Sequence, residues 1–284
     1  MAILIRESEW GTTHPFIARM FVGILEIRDL TVMSSTDPRN RKVAPSHFDE
    51  LYEPIRRSMQ TLLKTASEIN LLLTNYQTNI DNGEIIKFEG ENIEVLKTID
   101  EELNNEFGNI LNLSIIISKS CLQRLLIEVY DIDIGFLYQS DRLFNEGINN
   151  LLNSNKGDLS TYLTKTRQTW LSEVNQLRIN REHHNWLLGK TKFVGKPPFL
   201  HIIYPLVNEV PVNEYSRRIA NRSVRFVEDL IAYGYQDLVY SPIKLLEINE
   251  EQRDKSCPKR FMAIPSISSE NCWKIKYQEF FEFL

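Results

Sequence analysis

Between Pro54 and Pro197 the chain runs 142 residues without a proline, whereas four prolines lie up to Pro54 and seven from Pro197 onward. Proline fixes φ and lacks the backbone N–H, so it breaks helices from within, and a long gap is where helices can run. The apolar pattern uses that freedom. Over residues 48–79, Ile55, Met59, Leu62, Leu63, Ala66, Ile69 and Leu73 follow the three-and-four rhythm of one helix face, and Asp81-Asn82-Gly83 supplies a stop. Helical texture resumes over 92–107, 113–130, 134–152 and 159–186. Gly157-Asp158 offers a cap for the last of these, and Pro211 to Asn213 opens a further helix ending near Gly234.

The sequence therefore predicts a mainly α fold, a helical bundle with short extended or β segments at both ends. Residues 1–47 form an N-terminal extended or β segment, 48–234 the helical bundle, and 235–284 a C-terminal arm packed on it. The first 33 residues are rich in Ile, Leu, Val and Phe without helical spacing, and Trp273-Lys-Ile-Lys-Tyr-Gln alternates as a half-buried strand does. Residues 243–269, with Pro258 and Pro265, read as an extended arm. Strands are expected only before residue 45 or after residue 195, and the one β-leaning patch between them is Ile115-Ile116-Ile117.

Composition is that of ordinary globular material, 42% hydrophobic and 25% charged. No stretch reaches the ~18 uninterrupted apolar residues of a membrane span, and the opening residues lack the order of a signal peptide, so a cytosolic protein without membrane association is expected. Cys121, Cys257 and Cys272 are odd in number and not at zinc or redox spacing, which predicts reduced, structural thiols. The net charge of −5 is unevenly spread: residues 81–106 hold nine acids against Lys87 and Lys97, a local −7. Residues 178–196 hold Arg178, Arg181, Lys190, Lys192 and Lys196 against Glu182, a local +4, and Arg217, Arg218, Arg222 and Arg225 follow without an acid between them. Local basic surface, more than the global sum, decides phosphate binding. Arg218, Arg222 and Arg225 at i, i+4 and i+7 predict an exposed ridge. Solvated helix faces explain the same charges without a ligand.

The densest chemistry is Leu177-Arg178-Ile179-Asn180-Arg181-Glu182-His183-His184-Asn185-Trp186. Imidazole exchanges a proton near neutral pH and a guanidinium grips phosphate through paired donors, a combination suited to phosphodiester chemistry. Leu163, Thr166, Trp170, Val174 and Leu177 form an apolar stripe whose rhythm continues to Arg181 and His184. A core-facing stripe that ends in arginine and histidine is either a buried site or a helix C-terminus whose cations answer the dipole.

An all-helical bundle with an Arg, four to six residues and a His near the end of a late helix resembles the HEPN superfamily; Arg178 with His183 fits the four-residue spacing and Arg178 with His184 the five-residue one. The resemblance implies a metal-independent, cofactor-free endoribonuclease or RNA-binding protein. Its homodimer would join two motifs across a symmetric interface, with a protein partner such as an antitoxin. Arg178, His183 and His184 would then be catalytic, the His assisting attack of the RNA 2′-hydroxyl and the Arg stabilising the charge that develops. Arg181, Lys190, Arg218, Arg222 and Arg225 would bind substrate. Ile179 stands after Arg178, where the family commonly has a polar residue. Of the two histidines, His183 is favoured as catalytic and His184, on the stripe, as structural. The alternative is a non-catalytic helical interaction or scaffold protein of a defence or regulatory complex.

Other signatures fail. Gly189-Lys190-Thr191 lacks the first glycine of a phosphate loop, where His184 stands. Asp131-Ile-Asp133-Ile-Gly135 lacks the remaining ligands of a calcium loop, leaving Asp133 as a helix cap. Adjacent His183 and His184 point about 100° apart on a helix and do not chelate one ion together. His14, His47 and His201 stand singly beside prolines or aromatics and are expected to be structural.

Overall fold

The computed structural model describes residues 45–89, 92–130, 140–196, 199–238, 243–252 and 261–265. Residues 1–44 of the expected N-terminal extended or β segment, the strand at Trp273, the cap at Asp133, and His14, Cys257 and Cys272 lie outside the described residues, as does the side chain of His47, while residues 45–47, expected in that segment, are already helical.

The described residues are mostly helical, with short antiparallel strand pairs. Helix α1 (Pro45–Asp81) buries Ile55, Met59, Leu62, Leu63, Ala66, Ile69, Leu73, Tyr76 and Ile80, the face its spacing dictates. It stops where Gly83 takes φ 72° and its N–H bonds the Ile80 carbonyl at 2.9 Å. A hairpin then corrects two expectations, the helix over 92–107 and the confinement of strands to the ends: β1 (Ile86–Glu89) pairs antiparallel with β2 (Asn92–Val95), Ile86 opposite Val95. Both runs alternate apolar with polar residues, so Ile86 turns into the core while Lys87 and Glu94 face water.

Helix α2 (Asp100–Tyr130) opens on Asp100, Glu101 and Glu102, carboxylates at the positive end of its dipole. It runs unbroken through Ile115-Ile116-Ile117, one helix where two were expected. Ile115 and Ile117 are buried and Ile116 faces solvent, while the buried Ser114 and Ser118 hydroxyls donate to the Ile110 and Ser114 carbonyls at 2.8 and 2.7 Å. The polar atoms of this apolar turn are thereby satisfied inside the helix itself.

Helices α3 (Asp141–Asn153), α4 (Gly157–Thr166) and α5 (Ser172–His184) follow, and a π-turn over Arg167–Leu171 joins α4 to α5 without a break. Helix α6 (Val212–Leu238) packs with α1 and α2 as the central triple, α5 packs on α2, and α3 on α4. The Tyr162 hydroxyl of α4 donates to the buried Asp229 carboxylate of α6 at 2.7 Å, which keeps that carboxylate hydrogen-bonded away from water.

Between α5 and α6 lie two small sheets, β3 (Lys192–Lys196) with β4 (Phe199–Ile203) and β5 (Leu206–Val207) with β6 (Val210–Pro211). Their start at Lys192 again precedes the boundary expected at 195. Gly195 is required here: its φ is 111° and a Cβ would collide with the Phe199 carbonyl across the pair. The outer edge of β4 meets α1 through one side chain, with Gln77 donating to the Leu200 carbonyl and accepting from the Ile202 N–H, both at 2.8 Å. Beyond α6, the stretch read as an extended arm contains the pair β7 (Ile243–Glu247) and β8 (Phe261–Pro265). Among the described residues no helix is long and apolar enough to cross a membrane.

Cys121 sits 3% exposed within α2, and burial pushes its thiol up to about 12. The thiolate is the reactive form, so we expect the Cys121 peptide to resist iodoacetamide in the native protein at about pH 8 and to be alkylated only after unfolding. Peptide mapping with and without denaturant checks this, and rapid native labelling would contradict it.

Candidate functional site

The 177–186 segment occupies the end of α5 and the turn after it. Asn185 terminates the helix in the left-handed conformation, φ 52° and ψ 31°, and the Trp186 N–H returns to the Asn180 carbonyl at 3.1 Å. The chain then runs along the start of α2. Leu188 N–H donates to the Asn104 side-chain oxygen at 2.7 Å, and Thr191 donates its N–H and hydroxyl to Asp100 at 3.0 and 2.8 Å. Thr191, the last residue of the apparent phosphate-loop fragment, is thus committed to holding the chain in place.

Within the segment the two arginines differ. Arg181 lies across Gly108 of α2, whose missing Cβ leaves the space for its guanidinium, and donates to the Asn104 carbonyl. Partial burial there lowers the Arg181 pKa. Its role in the structure is a clasp between α5 and α2. Arg178 has a side chain 28% exposed and is met by the Glu182 carboxylate only at 4.0 Å, the outer limit of an ion pair. Its Nε is buried and meets no hydrogen-bond partner among the described residues. Of the two guanidiniums, Arg178 is the less committed.

His183 and His184 are both exposed. For His184 this corrects the expectation that it continues the apolar stripe, and the π-turn is the reason. Leu163, Thr166, Trp170, Val174 and Leu177 are all buried as expected, but the extra residue held by the π-turn widens the buried face to Leu171 and Asn175 and turns it toward Arg178. Arg178 thereby comes close to the core and His184 turns off it.

The arginine ridge is a second correction. Arg225 is buried at 8% exposure, Arg222 is half-buried, and Arg218 is half-buried in an ion pair with Glu214. Helix α6 packs on both α1 and α2, and Glu228 and Asp229, within a turn of Arg225, are buried as well. Lys190 is exposed, so of the expected substrate-binding cations it alone stands fully in solvent.

Two features escaped the sequence reading. One is a cleft of about 410 Å³ between α1, α6 and the end of β4, lined among others by Asn70, Tyr204, Asn213, Glu214 and Arg217, with the Asn213 amide donating to Asn70 at 3.1 Å. Its residues lie more than a hundred positions apart in part, and nothing local in the sequence joins them. The other is the outward face of β3 and β4, where Phe199 is 75% exposed opposite Lys196, with His201 and then Lys192 further along the same face. The absence of any Asp or Glu between Glu182 and Glu209 was the available signal. Among the described residues no three His, Cys, Asp or Glu side chains gather as metal ligands.

Compared with known protein families, with characterised proteins and with solved structures, the chain matches none.

Proposed function

We propose that this chain is a HEPN-like RNA-binding protein and metal-independent endoribonuclease whose working groups are Arg178 and His183. The observation that carries the reading is the contrast at the end of α5: Arg178 keeps a half-buried guanidinium with one loose contact, while His183 stands in solvent five residues on. On one helix these two positions are separated by about 140° at about 100° per residue, so they face different directions within a chain. A second copy related by a two-fold axis brings one copy's histidine toward the other's arginine, which favours a homodimeric site. There the imidazole serves as general base toward the 2′-hydroxyl, and the guanidinium stabilises the phosphorane-like charge.

The test is cleavage of a mixed RNA pool. Arg178→Ala and His183→Ala should each abolish cleavage while leaving the fold intact, a chelator should make no difference, and mixing the two inactive variants should restore part of the activity. Cleavage that survives either substitution, or that a chelator stops, rejects the reading.

A second reading has its own observation. Arg181, His183 and His184 all fall in the last turn of α5, where cations stabilise the helix, and Arg181 is already a structural clasp. On that reading the protein is a non-catalytic helical interaction module, and the histidine substitutions lower stability without any activity to lose.

A further inference from the structure

The β3–β4 pair divides its residues cleanly. Phe193, Leu200 and Ile202 turn inward, Leu200 to 2% exposure and the Phe193 ring to 6.4 Å from Tyr76 of α1. Lys192, Val194 and Lys196 on β3 turn outward, opposite Ile203, His201 and Phe199 on β4, and all six are exposed. Leaving Phe199 at 75%, Val194 at 52% and Ile203 at 44% exposure on one face is costly for a fold that has buried its inner face so well. Along this stretch of chain the charge has one sign, with the Asp100 and Asp81 carboxylates held at its flanks by Thr191 and Gln77. From His183 through Asn208 the chain carries Lys190, Lys192, Lys196 and three histidines and no carboxylate, although the protein as a whole is acidic. Among the described residues none of the three lysines forms an ion pair.

We infer that this face binds single-stranded nucleic acid, with Phe199 as a stacking platform and Lys192 and Lys196 as phosphate contacts. A flat aromatic side chain beside unpaired lysines meets both halves of a nucleotide: the base has a π-face to stack, and the backbone has the charge that the lysines lack. An acidic peptide would use the lysines and leave Phe199 without a reason. The choice of RNA as the strand rests on the function proposed above; the binding face is separate from Arg178 and His183 in sequence and chemistry.

The experiment measures binding of a 2′-O-methylated oligouridine of about 12 nucleotides, which cannot be cleaved, against a duplex of the same length. The single strand should bind the wild type more tightly and with steep salt dependence. Phe199→Ala should weaken it by roughly tenfold and the pair Lys192→Glu with Lys196→Glu by at least that. Unchanged melting temperatures are expected, since these side chains are exposed. The inference is overturned if the hairpin variants bind within about twofold of the wild type, or if their only change is loss of a dimer in light scattering, which would make the face an interface between copies. Normal binding by the hairpin variants with cleavage lost in Arg178→Ala defeats this inference and spares the proposed function. Wild-type binding without cleavage does the reverse, and no wild-type binding at all defeats both.

Discussion

Phe107→Ala should cost about 3–5 kcal/mol, as expected for emptying a fully buried aromatic site. Phe107 is 0% exposed near the start of α2, with the Trp186 ring at 6.2 Å and the Tyr215 ring at 6.0 Å. Those partners belong to the turn after α5 and to α6, so one side chain holds together three parts of the molecule. Each tilted ring pair contributes about 0.5–1.5 kcal/mol beyond area burial. The neighbourhood is also poorly able to collapse, because the Tyr215 hydroxyl is anchored to the Glu173 carboxylate at 2.7 Å. Burial and that bond raise the Tyr215 pKa, so the neutral hydroxyl is the form the fold requires. Urea titration should show a lowered midpoint with an unchanged slope, and Phe107→Leu should recover most of the loss. A midpoint for the alanine variant equivalent to less than about 1 kcal/mol would show that the ring cluster is not the junction described.

Gly108→Ala offers a change of sign. A glycine in a helix interior is worth about 0.5–1 kcal/mol less than alanine, so the substitution ought to stabilise α2. Here the new Cβ collides with the Arg181 guanidinium and displaces it from the Asn104 carbonyl. Hydrogen bonds from charged groups contribute about 1.5–3 kcal/mol, which exceeds the propensity gain, and net destabilisation of about 1–2 kcal/mol follows. In an Arg181→Ala background the obstacle is gone, and Gly108→Ala should stabilise by about 0.5–1 kcal/mol. A double-mutant cycle on thermal or urea stability reads the coupling directly. The same sign in both backgrounds would mean that Arg181 does not clasp α2.

How much of this was legible in the sequence follows from the range of each interaction. The long face of α1 and the stripe from Leu163 to Leu177 were readable because one helix repeats its signal many times. The β1–β2 hairpin was not: each of its strands has four residues, too few repeats for period two to stand out from a helical background. His184 lies beyond the last buried residue of that stripe, Leu177, and after a π-turn that hydrophobic spacing does not announce. Burial of Arg225 required knowing that α6 packs against both α1 and α2. The Arg181 clasp joins residues whose separation is 77 positions, and no local pattern foretells it. The Arg178 and His183 chemistry was visible as residue types; the different commitments of the two arginines were not.

Gln77 has a consequence for how the protein avoids its neighbours. A two-stranded sheet leaves an outer row of amides and carbonyls that can recruit a further strand from another molecule, the usual start of sheet-to-sheet aggregation. On β4 the two outward groups at Leu200 and Ile202 are already taken, one donor and one acceptor, by the primary amide of a glutamine fixed on a helix. That side chain imitates one peptide unit of a missing strand and carries no backbone to continue it. The β4 edge is thus capped by a single residue of α1.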